Sequence, residues 1–184
     1  MKKVAILISG RGSNMMSLVE ASGDAYQVVV VASDKPGAAG LDWAREHAIA
    51  TFALSPMKIG KPTYEAALDG ALRESGAEVI ALAGYMRLLS DDFVAKWRGS
   101  ILNIHPSLLP KYKGLDTHAR AIAAGDRQAG CSVHVVTEEL DGGEVLGQAE
   151  VAVEPGDTAE TLAARVLAAE HRLYPQVLAG YCAR

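Results

Sequence analysis

A chain of 184 residues, 49% hydrophobic and 22% charged, has the composition of one folded domain with room for a substantial core, which excludes a disordered polymer. A net charge of −4 without a basic stripe argues against a nucleic-acid partner. The two cysteines, Cys131 and Cys182, lie far apart with no partner spacing, which excludes a disulfide framework or a metal knuckle and points to free thiols in a reducing compartment.

Two lysines lead into an apolar run over 4–8, unbroken as a strand buried on both faces requires. The run is too short for a signal peptide, and no stretch approaches the length of a membrane span, so the expectation is a soluble, cytoplasmic protein without membrane contact. Residues 9–14 (Ser-Gly-Arg-Gly-Ser-Asn) read as a glycine-rich turn, and 15–21 as a helix with Ser13 or Asn14 at its N-cap. A second buried strand covers 28–32 and is broken at Asp34-Lys35-Pro36-Gly37. A helix over 41–47, a weaker strand over 49–54 and a helix from Pro62 to Ser75, closed by Gly76, come next. The fourth strand is 79–83. Asp91 and Asp92 open a short helix through Trp97, and 100–104 is the fifth strand. Strands alternating with helices at this spacing predict βαβ units, a parallel sheet and right-handed crossovers.

After residue 114 the pattern changes. A helix covers 117–125. Residues 131–137 and 144–153 alternate in polarity around Asp141-Gly142-Gly143 and predict an antiparallel pair. A long amphipathic helix over 158–174, capped by Asp157 and stopped by Pro175, completes the pattern. With no repeat and no low-complexity linker, the fold class is α/β: a Rossmann-like three-layer domain over 1–184, its central sheet mostly parallel with an antiparallel addition in the C-terminal half.

Three stretches carry chemistry. In the glycine-rich turn, glycines let the backbone approach an anion while the following helix start offers free N–H groups. A dinucleotide fingerprint would want a third glycine where Met15 stands, although Asp34 imitates its ribose acid, and the lysine of a P-loop is missing. A monophosphate site is favoured over a tight turn without a ligand. In the fifth strand, Asn103 and His105 are two residues apart and share a face. Pro106 and Pro110 then stiffen the chain. The bland alternative is a rigid strand-to-loop transition with a solvated histidine. The third stretch is the acidic loop 137–144. Its Asp141 is an ordinary turn carboxylate unless the loop folds back over Asn103 and His105. In that case an amide and an imidazolium stabilise an oxyanion while the carboxylate moves protons, which suits acyl transfer. No Ser, Cys or Lys nucleophile stands beside an obvious base, Ser107 being the nearest, which favours direct transfer over a covalent enzyme intermediate.

With these residues in view the chain resembles the phosphoribosylglycinamide formyltransferases, folate-dependent enzymes of purine biosynthesis. The resemblance runs through 8–14 (Ile-Ser-Gly-Arg-Gly-Ser-Asn), 82–89 (Leu-Ala-Gly-Tyr-Met-Arg-Leu-Leu), 103–110, Asp141-Gly142-Gly143 and 170–175 (Glu-His-Arg-Leu-Tyr-Pro). It implies an N-terminal phosphate-binding half, up to about residue 100, and a C-terminal folate and catalytic half. It further implies that Gly12, Ser13 and Asn14 hold the phosphate of glycinamide ribonucleotide and Glu170 its ribose hydroxyls. Met86, Arg87, Leu88 and Leu89 would line the folate pocket, with Asn103 at its reacting end and Glu138 in the loop that closes its other side. Asn103, His105 and Asp141 would be the catalytic set for transfer from 10-formyltetrahydrofolate, with no metal, and Leu109–Pro110 a cis peptide. Lys61 stands where relatives place an arginine toward the folate tail; it keeps the charge but lacks the planar fork.

Relatives continue past the last helix with another strand pair, whereas this sequence ends at Arg184. A formyltetrahydrofolate deformylase would be expected to carry an extra N-terminal domain, and a methionyl-tRNA formyltransferase a C-terminal one. A nucleotide-binding module without formyl chemistry would explain the glycine loop but not Asn103 and His105 on a proline-stiffened turn. The partners implied are small molecules, with an exposed apolar helix face able to support a homodimer. The 137–144 loop is expected to move on Gly142-Gly143.

Overall fold

The structure, a computed structural model describing residues 1–184, is built on one seven-stranded sheet. In chain order the elements are β1 (Lys2–Ile8), α1 (Ser13–Glu20), β2 (Tyr26–Ser33), α2 (Ala39–Glu46), β3 (Ala50–Ala53), α3 (Lys61–Glu74), β4 (Val79–Leu82), α4 (Asp91–Lys96), β5 (Ile101–His105), α5 (Thr117–Ala123), β6 (Gln128–Val135), β7 (Val145–Ala152) and α6 (Ala159–Cys182). The spatial order is β3-β2-β1-β4-β5-β6-β7. The first five strands are parallel, and β5–β6 and β6–β7 pair antiparallel. The sheet is therefore mixed as the residue pattern implied.

Alternation along β1 sorts the core into two layers. Val4, Ile6 and Ile8 pack with Met15 and Leu18 of α1, Leu41 of α2 and Leu162, Val166 and Tyr174 of α6. Ala5 and Leu7 face the other way, toward Tyr64, Leu68 and Leu72 of α3 and Phe93 and Val94 of α4. A strand covered on both faces has no solvated side, which is why its sequence is apolar throughout. Each fully buried leucine contributes about 1.5–3 kcal/mol relative to exposure.

Three local expectations need correction. Pro175 does not stop α6: the helix runs on to Cys182 with Pro175 buried inside it. The apolar periodicity continues past the proline through Leu178 and Cys182, and that burial outweighs the lost N–H. The cap of α6 is Thr158, not Asp157; Thr158 and Thr161 form a reciprocal capping box. Asp157 instead accepts from the Thr161 hydroxyl and pairs with Arg165. At α1 the N-cap is Gly12, and Ser13 and Asn14 are its first helical residues.

The strand order marks a place for a ligand. The strand order reverses between β1 and β4, and the crevice outside the carboxyl ends of strands at such a reversal is where open α/β sheets bind small molecules. The glycine-rich turn follows β1, and residues 84–90 follow β4. Leu109–Pro110, in the segment after neighbouring β5, is cis, matching the expectation.

Candidate active site

The phosphate-binding candidate starts at Gly12, whose backbone lies in the left-handed region (φ 78°). A Cβ there would meet Met15 Cε at 2.9 Å. No side chain caps α1, so the N–H groups of its first turn keep their donor capacity for a ligand. Asn14 Nδ2 donates to Glu170 Oε2 of α6 at 2.8 Å, while Asn14 Oδ1 is buried without a partner. The structure thus brings Gly12, Ser13, Asn14 and Glu170 together across 156 residues of sequence. Burial raises the pKa of the Glu170 carboxyl, and the bond from Asn14 offsets this only partly.

A second cluster lies on β5 and β6. Their register sets Asn103 opposite His134 and His105 opposite Ser132. Asn103 Nδ2 is 3.3 Å from His134 Nε2, and His134 Nδ1 is 3.1 Å from the Val135 carbonyl. A carbonyl only accepts, so His134 Nδ1 carries a proton; Nε2 accepts from the Asn103 amide when bare and donates to the nearby Asp141 carboxylate when the ring carries a second proton. By the same argument His105 Nε2 donates to the Tyr112 carbonyl at 2.8 Å, leaving Nδ1 for chemistry. The acidic loop does fold back: Asp141 Oδ2 lies 3.5 Å from His105 Nδ1, and Oδ1 lies 3.6 Å from His134 Nε2. The Gly114 N–H donates to Oδ2 at 2.9 Å. Burial pushes the Asp141 carboxyl up, but the contacts from His134, the Gly114 N–H and the charge of His105 outweigh it and hold its pKa below the ordinary value.

The turn that delivers Asp141 is tightly specified. Asp141 itself sits at φ 48°, a conformation aspartate tolerates better than most residues. A Cβ on Gly143 would stand 1.7 Å from the Val135 carbonyl oxygen, so only glycine fits that approach. His134 was not singled out from the sequence, nor was His118 of α5, whose Nδ1 is buried without a partner. Burial lowers the His118 pKa, and the charge of His105 lowers it further. The available signal for His134 was its place in an alternating strand beside β5, but only the register puts it opposite Asn103.

The remaining predicted residues are placed less uniformly. Met86, Arg87 and Leu88 are exposed after β4, and Leu89 is half-buried. Leu115 and Leu140, flanking Gly114 and Asp141, are exposed apolar residues as well. Lys61 opens α3 in solvent and its side chain is in no ion pair. Glu138 is engaged by Arg98 at 3.0 Å. Asp34 is not a free ribose acid: it is buried, accepts from Ser9 and faces Arg87. No group of three or more His, Cys, Asp or Glu is placed to hold a metal ion, and no helix is long and apolar enough to cross a membrane.

The family described as formyl transferase matches residues 2–178. The phosphoribosylglycinamide formyltransferase of Escherichia coli (strain K12) is 43% identical over 182 residues, covering 97% of this chain and 86% of that protein. The trifunctional purine biosynthetic protein adenosine-3 of Gallus gallus is 46% identical over 180 residues, and the chain spans 18% of its length. Among solved structures, the phosphoribosylglycinamide formyltransferase from Brucella melitensis superposes with a TM-score of 0.94 at 51% identity, covering 100% of this chain and 96% of that one.

Proposed function

The chain belongs to the formyl transferase family, and from that premise we propose that it transfers the formyl group of 10-formyltetrahydrofolate to the amine of glycinamide ribonucleotide in purine biosynthesis. The observation that carries the reading is the convergence of Asn103, His105 and Asp141, from one strand and one distant loop, beside the switch point of the sheet.

The roles follow from the donors and acceptors left free. The phosphate takes the N–H groups of Gly12, Ser13 and Asn14, and Glu170 takes the ribose hydroxyls. Residues Met86 to Leu89 present backbone and apolar surface to the pterin, Glu138 lies in the loop that closes the pocket, and Lys61 approaches the folate tail. The amine attacks the formyl carbon directly. The Asn103 amide has two hydrogens, one directed at His134 and one for the developing oxyanion. As an imidazolium, His105 supplies Nδ1–H as the second oxyanion donor, its Nε2–H being committed to the Tyr112 carbonyl. The oxyanion gains charge only as the tetrahedral intermediate forms, so these donors act selectively on the transition state. Asp141, kept ionised by its neighbours, accepts a proton from the attacking amine through a water and returns it to the leaving nitrogen.

A formyl-transfer assay tests this. Folate absorbance is followed with 10-formyltetrahydrofolate, with and without glycinamide ribonucleotide, and turnover is expected only with the ribonucleotide. His105→Ala is expected to lose about 10²–10³ in kcat, the usual cost of one oxyanion donor, while still binding the ribonucleotide. Folate release without the ribonucleotide would instead support a deformylase.

A further inference from the structure

Ser9, the first residue of the glycine-rich turn, is buried, and both its hydroxyl and its N–H are used. Its hydroxyl donates to Asp34 Oδ1 at 2.6 Å and accepts from the Met86 N–H at 2.9 Å. Its own N–H donates to the Gly84 carbonyl at 3.1 Å. Asp34 is buried too, and its Oδ2 lies 3.9 Å from Arg87 Nη1, whose side chain reaches solvent. Ser9 follows β1, Asp34 follows β2 and Gly84 lies just past β4. These strands are neighbours in the order β2-β1-β4, so one hydroxyl ties three carboxyl ends together beyond the sheet ladder. Losing it would strip the Met86 N–H and a buried carboxylate oxygen of that partner at once. The 84–90 segment has other anchors, but they lead to α3: Tyr85 to Tyr64, hydroxyl to hydroxyl at 2.9 Å, and the Ser90 N–H to Glu65 at 2.9 Å. Ser9 is the anchor that it shares with the loop.

We propose that Ser9, braced by Asp34, is a positioning residue that links the two substrate subsites. Occupancy of the glycine-rich loop stiffens residues 84–89, and occupancy of 84–89 strengthens binding at the loop. The proposal rests on the placement of the ribonucleotide phosphate at 12–14. Such linkage is reciprocal by thermodynamic necessity, and ordering a shared segment with one ligand lowers the ordering cost for the other.

Amide hydrogen exchange with and without glycinamide ribonucleotide, folate being absent, tests the linkage. In the wild-type protein the ribonucleotide is expected to slow exchange in 10–16 and also in 84–89, the latter by roughly fivefold or more, the low end of site-to-site coupling. In Ser9→Ala the protection of 10–16 is expected to remain and that of 84–89 to vanish, with Ser9→Thr restoring it. A purely structural serine would lower stability without abolishing this ligand-dependent difference. Ser9→Cys, similar in size but a poor hydrogen-bonding partner, carries the same expectation if the alanine variant does not fold. Wild-type protection confined to 10–16, or protection of 84–89 that survives in Ser9→Ala, overturns the linkage. No protection of 10–16 in the wild type overturns the phosphate placement and the linkage with it.

Discussion

Asp141 shows how one side chain's chemistry is set by its neighbours. Burial alone would raise its pKa and favour the neutral acid, but His134, the Gly114 N–H and the charge of His105 reverse the direction. A depressed folded-state pKa means that the ionised carboxylate adds stability above the ordinary aspartate value of 3.8, lost as pH falls through the folded value. His134→Gln removes the largest of the lowering contacts, so the acid limb of the kcat profile is expected to move to higher pH. An unmoved limb over a lower plateau would show that His134 acts on Asn103 alone. Glu170 has the opposite sign. Its folded-state pKa is raised above 4.5, so stability falls as pH rises from that value through the folded one. Glu170→Gln abolishes that loss and sets an amide donor near Asn14, whose buried Oδ1 lacks one. The ligand-free variant is expected to be about 1 kcal/mol more stable at neutral pH, by urea melts, on the scale of one net hydrogen bond. It is also expected to bind the ribonucleotide more weakly; a stability equal to wild type would mean that Glu170 is already neutral there.

At the scale of elements, the turn between β6 and β7 controls where Asp141 lies. Since a Cβ on Gly143 would overlap the Val135 carbonyl oxygen, Gly143→Ala has to open the turn. It is expected to lower kcat at least about tenfold, in line with the sensitivity of catalysis to small misplacements, with ribonucleotide affinity unchanged in equilibrium titration. Unchanged kcat would show that Asp141 reaches its place independently of the turn. The elements themselves were largely legible, because buried parallel strands are unbroken apolar runs and their crossover helices are bounded by glycine and proline. What was not legible depended on pairing or on competition between local and tertiary terms. His134 acquires its place from the β5–β6 register, which no single strand encodes. Pro175 reads as a stop, yet the buried face of α6 carries the helix through it. Gly12 caps α1 through its backbone conformation, leaving no side-chain signal beside the more obvious Ser13 and Asn14. Asp34 imitates a ribose-binding acid in its place after β2, but it is buried, accepts from Ser9 and faces Arg87.

At the scale of the molecule, the site depends on two strands from the parallel part of the sheet holding their ends side by side, β4 leading to 84–90 and β5 to His105. Their ladder pairs Leu82 with Asn103. Above it α6 adds a pin: Tyr174 is fully buried, and its hydroxyl donates to the carbonyls of Leu82 and Leu102, each at 3.1 Å. The same helix carries Glu170 one turn earlier, so one element both covers the sheet and reaches the phosphate loop. Tyr174→Phe keeps the ring and deletes the shared donor. It is expected to cost about 1–2 kcal/mol, read as a Tm lower by roughly 2–4 °C per kcal/mol for a domain of this size. Because the ladder pair survives, kcat should remain that of the wild type. A fall in kcat without a fall in Tm would mean that the pin, rather than the ladder, sets the spacing of the two strand ends, and would make α6 part of the machinery that aligns Asn103 with the 84–89 segment.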